Sequence, residues 1–440
     1  MPEDARMRRI ALPLIVLAAA LAGASPASAT TFCVPAFHPA CPNDGTNVQQ
    51  ANLETALSAN GSDGQADRVI IGSHIHTDAD SLQATGSDGL EIIGAGPGDT
   101  VITSSATTNI YVFDLSNRGQ PQVVRDLRIV VPASFPDGPG YGAAAQIRKT
   151  TMEHVEVESR NPGSAGVSFI GGGTLRDSSF TGVSGGTLSP AISTNGVVSG
   201  SLTVEGAAIS SGGAAVRADQ PNVPVSIRRT AITGVVSGVS ASGGGDVDLS
   251  DSLITTTTGP ALAAVSSTGD DSTVTARNAT LVGLPGNLGQ GLYAQVIGGL
   301  TAGAATLTVS DSIVRGFPQA WYRSAPVAVL AADANVAIGH SNLTPGGIST
   351  GDGAVTLGAG NIDADPLFAG SGDYRLMAGS PSVDAGDPGV ALAADALDLA
   401  GLPRTVNATG AAQAIRDQGA YERQAPVPVP DPGTGAGTPA

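Results

Sequence analysis

The chain has 440 residues, of which 41% are hydrophobic but only 3% aromatic and 13% charged, and it carries a formal net charge of −17. That is too apolar for a disordered chain and too acidic for a nucleic-acid partner. Sixty glycines beside abundant Ser and Thr exclude a long buried helical domain, leaving short strands of Val, Ile, Leu and Ala joined by tight turns.

Arg6, Arg8 and Arg9 precede an apolar run over residues 10–22 and an Ala-Ser-Ala at 27–29. This is the order of a secretory signal, and the run is short for a bilayer span, so residues 1–29 are expected to be removed. The exported chain then carries a net charge of −18 and no transmembrane span. In such a chain Cys33 and Cys41 are expected to form a local disulfide, since no third or fourth metal ligand lies nearby. A capping helix is expected over residues 48–59. Thr46 and Gln49 read as its capping box, Val48, Ala51, Leu53, Ala56 and Leu57 as its apolar stripe, and Asn60-Gly61 as its stop. Its role is to cover the open edge of a stacked sheet.

"VIIG", "LEIIGAGPGDTVIT" and "IYVFDL" read as opening strands. Between the first two lies "HIHTDAD" (74–80), where a strand with Ile75 turned inward would put His74, His76 and Asp78 together on the outer face. Two imidazoles and a carboxylate suit Zn²⁺. The plainer expectation is an exposed strand, and no metal ligand or cofactor is assigned.

From residue 124 onward one six-residue phrase recurs, most plainly as "LSDSLI" (249–254) and "VSDSIV" (309–314). Its first and sixth positions are apolar: Val124/Ile129, Met152/Val157, Leu175/Phe180, Val204/Ile209, Ile227/Ile232, Leu249/Ile254, Ala276/Leu281, Val309/Val314, Ile338/Leu343 and Leu357/Ile362. Successive copies are 19 to 33 residues apart, which is the signature of a solenoid. The third position reads Asp126, His154, Asp177, Gly206, Arg229, Asp251, Asn278, Asp311 and His340 in the first nine copies. All but Arg229 are types that tolerate a left-handed backbone, so the chain is expected to turn a corner there. Strands flanking so tight a corner cannot pair with each other, and each must pair with its counterpart in the next copy.

A third short strand precedes each phrase: "GVSFI" (166–170), "PAIST" (190–194), "AAVRA" (214–218), "GVSAS" (238–242), "ALAAV" (261–265) and "VAVLA" (327–331). Three strands per coil over ten or more coils predict an all-β right-handed parallel β-helix, at about 4.8 Å per rung a rod roughly 50 Å long. The expected organisation is a signal at 1–29, an N-terminal segment with the capping helix at 30–66, coils at 67–359, C-terminal coils and cap at 360–422, and a Pro-rich disordered tail at 423–440.

Few residues in the coils suggest chemistry. Asp270-Asp271, the adjacent acidic pair, reads as a solvated turn. Asp251 and Asp311 would hold Ca²⁺ only as an outward-facing ladder, whereas the corner already accounts for them. Phe135 with Tyr141, and Trp321 with Tyr322, fall in two segments read as long loops on one side of the rod. They form a weak sugar-contact face unless folded down on the coils. No catalytic residue is assigned.

At the far end, "GNIDADPLFAGSGDYRLMAGSPSVDAGD" (360–387), "DLAGLPR" (398–404) and "DQGAYE" (417–422) closely resemble the choice-of-anchor Q domain family, secreted β-helix proteins with a DPLF, GSP-x-x-DAG and GAYE series. The resemblance implies architecture and an extracellular or cell-surface location, without a common catalytic set. The expected function is a noncatalytic exported rod, structural or adhesive, in contact with an extracellular polysaccharide or the cell wall. The alternative is a polysaccharide lyase or glycoside hydrolase acting on uronic-acid polymers.

Overall fold

The computed structural model describes residues 29–424 apart from 79–80, 107–110, 118, 136–142, 184–188, 196–197, 268, 298–302, 327–331, 392, 394–395, 405 and 407–413. The expected signal, the Pro-rich tail, Tyr141 and the strand proposed at 327–331 therefore lie outside the described residues. The described chain winds into a right-handed parallel β-helix of three sheets.

In the middle of the rod the first sheet contains Ala214–Ala218, Ser237–Ser242, Leu262–Ser266, Gln290–Val296 and Gln319–Ser324. The second contains Val225–Arg228, Asp246–Ser250, Ser272–Arg277, Ala305–Ser310 and Ala334–Gly339. The third contains Ala231–Val235, Leu253–Thr256, Thr280–Gly283, Ile313–Arg315 and Asn342–Leu343. The phrase sets the register. Its first positions align as Val204, Ile227, Leu249, Ala276, Val309 and Ile338, and its sixth as Ile209, Ile232, Ile254, Leu281, Val314 and Leu343. Both columns are buried in one core. Each such side chain contributes about 1.5–3 kcal/mol by leaving water.

All nine third-position residues have φ between 44° and 65°, including Arg229, whose type gave no hint of it. The corner is thus imposed by the stack, whatever residue occupies it. Gly206 shows how tightly the corners stack, because a Cβ there would lie 2.4 Å from Asp177 Oδ1 in the coil before. The fourth position supplies a second device. Ser252 Oγ donates to Ser250 O across the corner at 2.6 Å and accepts the Thr230 N–H of the preceding coil at 3.1 Å. Ser178, Ser312 and Ser341 repeat both contacts, so buried hydroxyls satisfy the backbone groups that the corner takes out of the ladder.

Three boundaries differ from the expected ones. The helix is shorter, Leu53–Ala59, with Asn52 as its N-cap accepting the Thr55 N–H at 2.8 Å. Val48 and Gln49 instead pair in parallel with Phe32 and Cys33, so Thr46 and Gln49 form no capping box, and Asn60 ends the helix without a left-handed residue. The stack begins earlier than residue 67, at Thr31–Val34, which pairs with Asp67–Ile71. Leu53, Ala56 and Leu57 join the core against these strands, as a cap requires. The Cys33–Cys41 disulfide is present, with Cα atoms 5.6 Å apart, and ties this first strand to the following loop.

The third correction is at the other end. The last parallel strand is Val355–Leu357, and Leu357 is 48% exposed. Ile362 still bridges Asn342 in parallel, closing the last phrase, and beyond it residues 363–422 add no parallel strand among the described residues. They form an antiparallel hairpin, Phe368–Gly370 with Asp373–Leu376, followed by irregular chain. Frequent Gly, Pro and Asp in this stretch favour turns over ladders.

The corner is testable at Asp177, which is exposed to solvent. Asp177→Asn should change stability by less than about 0.5 kcal/mol, whereas Asp177→Val should lose about 1–3 kcal/mol from backbone strain, both read by urea denaturation. Equal stability of the two variants would show that the corner imposes no steric selection.

Candidate functional site

The irregular C-terminal chain lies along the lower half of the corner row. Arg404 Nε donates to Asp251 Oδ1 at 2.6 Å. Arg416 Nη1 donates to Asn278 Oδ1 at 3.3 Å and lies 3.9 Å from Asp311 Oδ2. Asp311 Oδ1 accepts the Asp387 N–H at 2.6 Å, and His340 Nδ1 lies 3.6 Å from Asp387 Oδ2. Four successive corners are therefore clasped by the "DAGD", "GLPR" and "DQGAYE" motifs. Asp251 and Asp311 form no solvent-facing ladder, since guanidinium groups stand where a cation would have to bind.

Arg404 is 2% exposed and is the largest fully buried side chain. Its charge is compensated by Asp251, by Glu422 Oε2 at 3.4 Å, and by the Gly419 and Ala420 carbonyls at 3.1 and 2.9 Å. Without that set, burying a guanidinium would be strongly unfavourable. Burial also pulls the Arg416 pKa down, and Asp311 opposes the shift.

Between this strap and the outer face of the second sheet is a cleft of about 760 Å³. A shallower groove of about 400 Å³ shares Arg228, Asp246 and Asp248 with it, so the two make one trough along the rod. Strand alternation builds its floor: Val225, Ile227, Val247 and Leu249 face the core, while Ser226, Arg228, Asp246 and Asp248 face out. Most arginines in the trough are committed: Arg229 to Glu205, Arg404 to Asp251 and Glu422, Arg416 to the corner row. Arg228 and Arg277 are exposed and form no ion pair among the described residues. Both align with Ser250, so they stand two rungs apart with one strand between. Asp246 and Asp248 project from that middle strand.

None of these residues was singled out from the sequence. Alternation in strands such as "DVDLS" (246–250) is visible there, but which outer face a returning segment would wall in is not. Asp251 and Asp311 apart, the residues weighed from the sequence lie elsewhere. His74, His76 and Asp78 alternate on one side of the strand, but of the three His76 is taken into the core at 7% exposure, while His74 is exposed, Asp78 half-buried, and Ile75, expected inward, 62% exposed. His76 stands in the same core column as Ile102 and Ile129, because its strand joins the third sheet two coils before the phrase becomes recognisable. Its Nε2 has no partner, and burial, with the nearby His74 charge second, holds its pKa down to about 4. The three do not converge as metal ligands.

Asp270 and Asp271 sit exposed in a turn, where Asp271 Oδ1 accepts the Ala304 N–H. Phe135 is folded down and buried. Trp321 and Tyr322 are on the strand Gln319–Ser324 of the first sheet, not in a loop, and this strand takes the place expected at 327–331. Trp321 continues the core column of Leu262 and Leu292, whereas Tyr322 points outward and stacks on Tyr293 at 4.9 Å and 8°. The two aromatic segments are therefore not one shared face.

No family model matches the chain, and no curated protein does. Solved structures of similar fold include the mannuronan C-5 epimerase A-module of Azotobacter vinelandii, at 16% identity over 72% of this chain and 92% of that one, TM-score 0.44. An alginate lyase from a Paenibacillus species matches at 13% identity over 68% and 96%, TM-score 0.43, and a pectate lyase at 12% over 90% and 97%, TM-score 0.49. The likeness is one of chain trace, and no residue role is taken from it.

Two outcomes follow from the site. Asp251→Asn should cost about 1–2 kcal/mol, because Arg404 keeps an acceptor but loses a compensating charge; a stability equal to wild type in urea would show that the corner aspartate serves geometry alone. For His76 the depressed folded pKa means that stability is present above the ordinary value of 6.5 and lost as pH falls toward 4. Compared with His76→Leu, the wild type should lose of the order of 2–3 kcal/mol more between about pH 7 and 4, measured by denaturation at each pH.

Proposed function

We propose that the protein is an exported, noncatalytic rod that holds an acidic polysaccharide in the trough beneath its C-terminal strap. One observation carries the reading: Arg228 and Arg277 are exposed and form no ion pair among the described residues, two rungs apart on the trough floor, on a chain whose net charge is −17. Free guanidinium groups spaced along a straight groove suit carboxylates spaced along an extended polymer, since each can take a carboxylate with two parallel hydrogen bonds. Ser226, Ser250 and Thr275 on the same face offer hydroxyls for neutral sugar groups. The disulfide and the resemblance of the C-terminal motifs to secreted choice-of-anchor Q domains support export. Among the described residues no helix is long and apolar enough to cross a membrane.

A second reading has its own observation. Asp246 and Asp248 emerge on one face of one strand, their Cα atoms about 6.7 Å apart at strand rise, and a pair of carboxylates facing one cleft is what glycosidic cleavage requires. They lie beside the two free arginines, as a hydrolase or lyase of uronic-acid polymers would need.

One set of measurements separates the readings. Binding of polygalacturonate and alginate oligomers by calorimetry should weaken at least about tenfold in the Arg228→Gln/Arg277→Gln double variant, since each lost charged contact is worth about 1.5–3 kcal/mol. Its melting temperature should be unchanged, and affinity for neutral glucans should be absent in both proteins. Unaltered polyuronate affinity in the double variant would refute the trough. Release of unsaturated uronates or new reducing ends, lost in Asp248→Asn, would establish the enzyme in place of the noncatalytic rod.

A further inference from the structure

A separate group of carboxylates lies within the strap. Asp384, Asp417 and Glu422 present oxygen atoms that all fall within 4.8 Å of one another. Asp417 and Glu422 are 0% and 4% exposed, while Asp384 is half-buried and gives the group its contact with solvent. The backbone fixes them. The Asp384 and Arg423 N–H groups donate to Asp417 Oδ1 and Oδ2 at 2.7 and 2.6 Å, and Glu422 Oε2 accepts the Asp417 N–H at 3.0 Å. Asp398, buried nearby, already accepts from the Leu402 and Glu422 N–H groups.

Arg404 meets the group through Glu422 Oε2, and its charge is shared with Asp251. Glu422 Oε1 is buried with no hydrogen-bond partner. A carboxylate oxygen left so is unfavourable in low-dielectric surroundings unless a proton or a cation takes it. Burial accordingly pushes the carboxyls of Asp417 and Glu422 up from the usual carboxylate range.

We propose that Asp384, Asp417 and Glu422 bind a calcium ion that joins the "SVDAGD" segment to the "DQGAYE" segment of the strap. Two oxygens on one Ca²⁺, each at 2.3–2.6 Å, are at most about 4.6–5.2 Å apart, and the three oxygens, all within 4.8 Å of one another, are compatible with that limit. Three oxygen donors without His or Cys select a hard cation over Zn²⁺ or Cu²⁺. The bound charge offsets the mutual repulsion of the carboxylates. A second cluster, Glu153, His154 and Asp177, falls within the same 4.8 Å but stands half-buried to exposed on the upper corner row, and none of its atoms is among the buried, unpartnered ones of the described residues.

The test uses the full exported chain at about pH 7.5, stripped with chelator and titrated with CaCl₂ to about 10 mM, ten times the weak end of extracellular calcium sites. Wild type should take up one ion per chain by calorimetry, and its melting temperature should rise by several degrees. Glu422→Gln should lose both the uptake and the rise, each read against its own melting temperature in chelator, because the amide removes a repelling charge and also a compensating partner of Arg404. Asp384→Asn, on the half-buried side, should fold normally and lose the uptake too. If neither Ca²⁺ nor Mg²⁺ shifts wild type, the group holds a proton and the proposal fails. It also fails if Glu422→Gln keeps the full shift, which would place the ion at the upper cluster instead. A shift with Mg²⁺ alone overturns the choice of calcium.

Discussion

The rod depends on one backbone constraint, the single left-handed residue through which each coil passes from the second sheet to the third. A one-residue corner keeps the strand before it and the strand after it at a constant offset, so the apolar first and sixth positions of every phrase fall into the same two core columns. The spacing of copies varies from 19 to 33 residues because the other two turns absorb the insertions. Positive φ is disfavoured for side chains with a Cβ, and Asp, Asn, Gly and His accept it at least strain. Arg229 shows that parallel pairing on both sides can impose the conformation on a poorer residue. The following Ser or Thr completes the corner by bonding the groups the turn withdraws from the sheets.

A constraint repeated at every rung has a consequence beyond the coil. It sets a line of short polar side chains along the outside of the rod, chosen for backbone reasons yet bearing charge and hydrogen-bonding capacity. The strap uses that line as a docking rail. Asp251, Asn278, Asp311 and His340 receive Arg404, Arg416 and Asp387, while Asp126, His154 and Asp177 remain on the uncovered half. Because Arg404 and Arg416 are buried in the process, the interface is selective: a guanidinium is tolerated there only with its full set of acceptors.

Docking also makes the trough. The second sheet alone is a flat outer face of Ser, Thr, Asp and Arg, and the strap supplies the wall that turns it into a groove. The arginines divide accordingly. Those at the wall are consumed in holding it, and the two on the floor form no ion pair among the described residues. On a strongly acidic chain such local cations act at short range, within about a Debye length, so a polyanion would be recognised by contact rather than drawn in by the field of the whole molecule.

The sequence by itself determined the coil: the phrase, its two core columns, the left-handed position and the local disulfide are all set by residues within a few positions of each other, where periodicity and backbone sterics can be read directly. It determined less wherever a partner is distant. Helix onset moved from Thr46 to Asn52 because residues 48 and 49 are taken by a strand that begins at Thr31. His76 turned inward because the coil it belongs to carries no recognisable phrase, so its column could be identified only through Ile102 and Ile129. The C-terminal motifs were visible as a series, but their action was not. Arg404 and Asp251 are 153 residues apart, and neither composition nor spacing announces that one will be buried against the other. Tertiary structure alone decided which corners are covered, which arginines stay free and which carboxylates are forced together, because each outcome depends on where the last sixty residues return to a surface built by the two hundred before them.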